Sequence, residues 1–132
     1  GESRAFPDVN ALAGKKIAVP GGTSSADFAR ALSTAKGFQL VEYPDFALQQ
    51  QALMTRQVDA AIADLPTWAV YDRERPGQID MLDKFDTDDR YAYAVRKGSD
   101  PRLIQAINDV LRDARTNGTY AAVHSKWLGA GA

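Results

Sequence analysis

Apolar positions along this chain recur in two rhythms, and the way the rhythms alternate orders its elements. Ile17, Ala18 and Val19 form a short continuous apolar run, the signature of a strand covered on both faces. Phe28, Ala31, Leu32 and Ala35 then return at helical spacing, and Gly37 can close that helix. Residues 38–43 alternate as a second strand, which Pro44 ends. Asp45 is placed to cap a helix over residues 46–55. In it Leu48, Ala52 and Leu53 make a modest apolar face, and the glutamines 49–51 are expected mostly on the wet side. Residues 58–63 read as a third strand, small and apolar apart from Asp59. It runs into Asp64, an N-cap for a helix with Pro66 in its first turn and with Trp68, Ala69 and Tyr71 beyond. Strand then helix, three times over, predicts right-handed crossovers and a parallel sheet.

After the break at Pro76 and Gly77 the pattern thins. Residues 79–82 are a weaker strand, and residues 83–89, with four aspartates, read as a solvated connector lacking the central Gly and terminal Glu of a calcium loop. Residues 91–95 alternate large and small, which predicts a strand with one crowded face and gives Tyr91 and Tyr93 packing roles. Asp100 as cap and Pro101 at the first helical position open the clearest amphipathic stripe, Leu103, Ile104, Ile107, Val110, Leu111 and Ala114. Asn117 and Gly118 stop that helix. Thr119 can cap a last one, with Tyr120, Val123 and Trp127 on one face. Ahead of the first strand, residues 1–11 are an irregular or tag-derived lead-in, and Val9, Ala11 and Leu12 are expected to form a short turn against the sheet.

The junction after the first strand carries the most chemistry. Pro20 is expected to end backbone pairing, and Gly21 and Gly22 permit backbone angles and close approaches that a side chain would block. Thr23, Ser24 and Ser25 bring hydroxyls to the start of the next helix, and Ser24 with Asp27 fits a capping box. Free amides and hydroxyls at the positive end of a helix dipole make an anion cradle, although a well-made junction needs the same residues. No Lys follows the glycines and the third glycine of a dinucleotide fingerprint is missing, which disfavours nucleotide. In a parallel sheet ligands sit beyond the carboxyl ends of the strands, where both residues 21–25 and Asp64 fall.

Composition narrows the rest. With 132 residues the chain suits one hydrophobic core, and 16 basic against 17 acidic residues, without a basic run, give nucleic acid no electrostatic footprint. There is no cysteine and His124 is the only histidine, which excludes disulfides, thiolate metal sites and a histidine-rich metal site within one chain; no metal and no cofactor are expected.

The order of 12–19, Gly22-Thr23-Ser24, 58–64, 91–98, Asn117-Gly118-Thr119-Tyr120 and Lys126-Trp127-Leu128-Gly129 resembles the family 3 extracellular solute-binding proteins, the amino-acid receptors of ABC importers. The resemblance implies a type II periplasmic-binding-protein-like lobe: a three-layer α/β/α arrangement with a mostly parallel sheet of about five strands, followed by two C-terminal helices. It also implies that Gly22, Thr23 and Ser24 hold the ligand α-carboxylate, that Asp64 pairs with the α-ammonium, and that an ABC permease serves the parent protein outside the cytoplasm. The charge pair needed by a zwitterion agrees with that transfer. Residues 12–98 would be the second, ligand-closing lobe, and residues 99–132 would be helices that pack on a first lobe. That lobe, with its clamping arginine and aromatics, has no counterpart here. The apolar stripes then need another home, on this lobe or against a second copy, and the chain by itself is expected to bind amino acid weakly or not at all. Cyclohexadienyl dehydratases are similar to these receptors and carry a turn like the one from Pro20 to Thr23, so an enzyme on the same fold is the alternative, with Asp64 as its general acid; a ligand-sensing domain of a membrane receptor is another.

Overall fold

The structure, a computed structural model, describes residues 6–128. The chain divides into two compact units, one through Thr87 and one from Asp88 onward.

The first unit is built on a three-stranded parallel sheet of order β2-β1-β3, with β1 (Lys16–Pro20) in the centre, β2 (Gln39–Tyr43) on one side and β3 (Ala60–Ala61) on the other. Pleating sends successive side chains of β1 to opposite faces. Ile17 and Val19 pack toward α1 (Ser24–Lys36), in clusters with Leu32, Ala26, Ala29 and Leu40. Ala18 packs toward α2 (Phe46–Met54), with Ala52, Leu53 and Val41. Helices on both faces make the predicted three layers, and they explain why β1 is apolar at every central position. Ile17, Ala18 and Val19 are completely buried. Full burial stabilises by about 1.5–3 kcal/mol for each of Ile17 and Val19. Leu12, in a short 3-10 turn at Val9–Leu12, joins Ile17 and Phe38 in the core.

The start of α2 and the end of α1 form as the sequence predicts. The Asp45 carboxylate accepts from Leu48 N, and Gly37 closes α1 in the left-handed region at φ 75°. α3 (Leu65–Glu74) buries Trp68 and Tyr71, whose rings stand edge to face 5.7 Å apart, and the Phe46 ring lies 4.9 Å from the indole.

In this unit the expectations change for the strands, for Pro20 and for Gln49. The described residues contain three strands rather than about five: residues 79–82 and 91–95 take no strand structure, and Tyr91 and Tyr93 are 75% and 73% exposed rather than packed. Alternation supplies a face, but a strand also requires a neighbour for its amides and carbonyls, and the sheet ends at β2 and β3. Pairing does not stop at Pro20, which stays in register with Tyr43 while Gly21 N donates to Tyr43 O at 2.8 Å; it stops only on the β3 side. Finally, Gln49 is completely buried, while Gln51 lies in solvent as expected.

In the second unit, α4 (Pro101–Thr116) and α5 (Thr119–Leu128) pack on each other, and Thr119 is the first residue of α5 rather than its cap. Asp100 caps α4 by accepting from Arg102 N at 2.9 Å. Neither helix has a fully buried residue. Ile107, Leu111 and Ala114 are half-buried, whereas Leu103, Ile104, Val110, Tyr120, Val123 and Trp127 are exposed.

Candidate functional site

At the carboxyl end of β1 the chain turns through Gly21 and Gly22 into α1. Gly22 has φ 70°, a conformation that L side chains enter at a cost. A Cβ on Gly21 would stand 3.2 Å from a Glu42 carboxylate oxygen, so this side of the turn lies close against β2.

Thr23 is the N-cap of α1. Its hydroxyl accepts from Ala26 N at 3.2 Å and donates to Pro20 O at 2.7 Å, which commits both functions of that group to the turn. The expected capping box headed by Ser24 is therefore displaced by one residue. Ser24 is the first helical residue and is exposed, and Asp27 forms an ion pair with Arg30 instead of reaching back to the cap. The reason is geometric: an N-cap has extended backbone, and Thr23, at φ −113° and ψ 161°, is the last residue that does. Ser24 N and Ser25 N lie in the first turn, ahead of any intrahelical carbonyl, so the helix itself gives neither a partner at the positive end of the α1 dipole.

Asp64 occupies the N-cap position of α3, yet its side chain makes no cap hydrogen bond. Its Oδ1 instead accepts from Ser25 Oγ at 2.7 Å, across 39 positions of sequence. Ser25 is buried and Asp64 half-buried, so the bond forms in a partly dry setting, where a charge-assisted hydrogen bond gains strength. The acid after β3 and the turn after β1 therefore share one rim of the sheet. The resemblance implies ligand roles for Gly22, Thr23, Ser24 and Asp64, whereas Ser25, which the sequence shows only as one more hydroxyl of the turn, is the residue that joins the two parts.

The rim thus offers two first-turn amides and the exposed Ser24 hydroxyl as donors, with a carboxylate beside them. Ser25 Oγ is one of the groups that hold that carboxylate in place. Such a set can grip a small molecule carrying both an anionic and a cationic group.

A family model described as bacterial extracellular solute-binding proteins, family 3, matches residues 20–130. Among curated proteins, the chain is 28% identical over 118 residues to a probable histidine-binding protein of Campylobacter jejuni, covering 89% of this chain and 45% of that protein. It is 28% identical to the L-cystine-binding protein TcyJ of Escherichia coli K12, covering 90% of this chain and 44% of that one. Among solved structures, substrate-binding domain 2 of Lactococcus lactis GlnP, in its open conformation, superposes with TM-score 0.72 at 26% identity, over 98% of this chain and 56% of that one. An ancestral arginine-binding protein bound to glutamine superposes with TM-score 0.73 at 25% identity, over 98% and 56%. The chain spans about half the length of the relatives it matches.

Proposed function

The chain belongs to the bacterial extracellular solute-binding proteins, family 3, and from that membership we propose that it is the ligand-closing lobe of an amino-acid receptor of an ABC importer, working outside the cytoplasm. The ligand α-carboxylate lies against Gly22, Thr23 and Ser24 and the α-ammonium against Asp64. Because the Thr23 hydroxyl is committed to Pro20 and Ala26, Thr23 contributes its backbone amide, and the free hydroxyl comes from Ser24. Residues 12–98 form this lobe, and residues 99–132 pack against the first lobe of the parent protein or against a second copy. The proposed role involves no catalysis; the relatives are named as binding proteins.

The observation that carries this reading is the Ser25–Asp64 hydrogen bond, which holds an acid against the positive end of α1 and so joins sites for opposite charges. Titration of the isotopically labelled chain with L-glutamine, L-arginine or L-histidine, followed by NMR, is expected to shift the amides of residues 22–25 and 64 at millimolar concentrations for at least one of the three. The N-acetyl and decarboxylated derivatives of that amino acid are expected to bind about tenfold or more weakly, a loss of at least about 1.4 kcal/mol. Absence of any shift at those residues with all three amino acids overturns the assignment. Micromolar affinity of the monomeric chain overturns its reading as one half of a clamp.

A further inference from the structure

Gln49 lies on α2, a completely buried amide on a helix whose other glutamines reach solvent to varying degrees. Its Nε2 donates to Ala18 O at 2.9 Å and to Ile62 O at 2.7 Å. Two carbonyl acceptors leave no ambiguity about which end of the amide faces them.

The reason for that bridge is in the β1 ladder. Backbone groups of successive strand residues point to alternate neighbours. Lys15 O and Gly21 N bond to the β2 side, through Gln39 N and Tyr43 O. Lys16 O and Ala18 O face β3, accepting from Asp59 N at 2.8 Å and Ile62 N at 2.9 Å. Residue 20 therefore faces β3, and its N–H is the regular donor for Ile62 O. Position 20 is proline and has no N–H. A proline at the end of a central strand leaves one carbonyl of its neighbour without a ladder partner, and the Gln49 amide supplies the missing donor from the helix below. Gln49 Oε1 itself finds no partner among the described residues, so the side chain carries an unsatisfied acceptor in the position that serves the two carbonyls.

The location of this bridge gives it a consequence beyond stability. Ala18 lies four positions before Gly22 and Ile62 two before Asp64, so the amide spans β1 and β3 where they separate into the turn and the acid. Farther out, the Ser25–Asp64 bond ties the two paths together again.

We infer that Gln49 is a positioning residue for the ligand site: by bridging Ala18 O and Ile62 O in place of the amide that Pro20 lacks, it sets the separation between the Gly22–Ser24 anion cradle and Asp64. This rests on the proposed reading of those residues as the two halves of an amino-acid site.

The test pairs Gln49→Leu, which keeps bulk and removes the donor, with Gln49→Leu/Pro20→Ala, which returns an N–H aimed at Ile62 O. In the ligand-free 132-residue chain, Gln49→Leu is expected to displace the NMR amide signals of residues 22–25 and 64 while those of the β1–β2 ladder stay in place, and the added Pro20→Ala to bring them back. With whichever of L-glutamine, L-arginine and L-histidine binds, the single variant should lose about tenfold or more in affinity and the double variant recover to within about threefold. Packing alone gives no reason for recovery through residue 20. Unmoved site signals in Gln49→Leu, or a displacement that Pro20→Ala does not reverse, overturn the inference. If Gln49→Leu unfolds the chain, recovery of the native spectrum in the double variant supports the bridge and failure to recover overturns it. If no amino acid binds the wild-type chain, the functional reading fails, while the ligand-free signals still decide the role of Gln49.

Discussion

Ser25 Oγ donates to Asp64 Oδ1 at 2.7 Å, so a buried hydroxyl in the first turn of α1 holds the acid that opens α3. A hydrogen bond to a charged group contributes about 1.5–3 kcal/mol, less where the acceptor is partly in water. Ser25→Ala is expected to lower stability by about 1 kcal/mol in urea denaturation, after the better helix propensity of alanine returns a few tenths. In a double-mutant cycle with Asp64→Ala the coupling should be about 1 kcal/mol. Additive losses would show that the two side chains do not support each other.

The cap of α1 can be assigned by mutation. Thr23→Ala removes the acceptor of Ala26 N and is expected to cost about 1 kcal/mol, whereas Ser24→Ala, at an exposed first-turn position, should stay within about 0.5 kcal/mol of the parent. Equal losses, or the reverse order, would return the cap to Ser24.

Two left-handed positions predict changes of opposite sign. Gly22 has φ 70° with open space where a Cβ would stand, so Gly22→Ala meets no clash and loses about 1 kcal/mol through the backbone alone. Arg56, at φ 59°, is the one described non-glycine residue with positive φ. Arg56→Gly relieves about 1–2 kcal/mol of αL strain and gives back part of it through the freer unfolded chain, for a net gain of about 0.5 kcal/mol. Chemical denaturation of both variants checks the signs, and a destabilised Arg56→Gly would show that the arginine side chain outweighs its backbone.

Asp100 gives a pH-dependent contribution at the start of α4. The Arg102 guanidinium, and after it the Arg102 backbone amide, hold the Asp100 carboxyl below the usual carboxylate value. With the folded value below the unfolded one, about 3.9, this stabilisation is complete above the unfolded value and is lost as pH falls through the folded one. NMR titration of the Asp100 side chain should show a depressed midpoint that rises toward the ordinary value in Arg102→Ala. A midpoint already ordinary in the parent chain would refute the pairing.

Legibility in the sequence followed the range of the interaction. The Asp45 and Asp100 caps, the Gly37 stop and the α4 stripe were readable because each depends on residues within a turn or two of its own position. The α1 cap missed by one residue, since Thr23, Ser24 and Ser25 are chemically near-equivalent and only the last extended backbone angle chooses among them. Residues 79–82 and 91–95 have strand composition but no strand structure, because a ladder belongs to two segments and composition describes only one.

The sequence by itself determined the parallel α/β order, the apolar centre of β1 and the placement of a hydroxyl-rich turn and a lone acid at strand ends, because periodicity, caps and glycines act locally. Only the tertiary structure decided that Ser25 rather than Ser24 meets Asp64, and that Gln49 turns inward to stand in for the N–H missing at Pro20. Both depend on which atoms are left over when strands and helices pack, and that remainder exists only once the partners are in place.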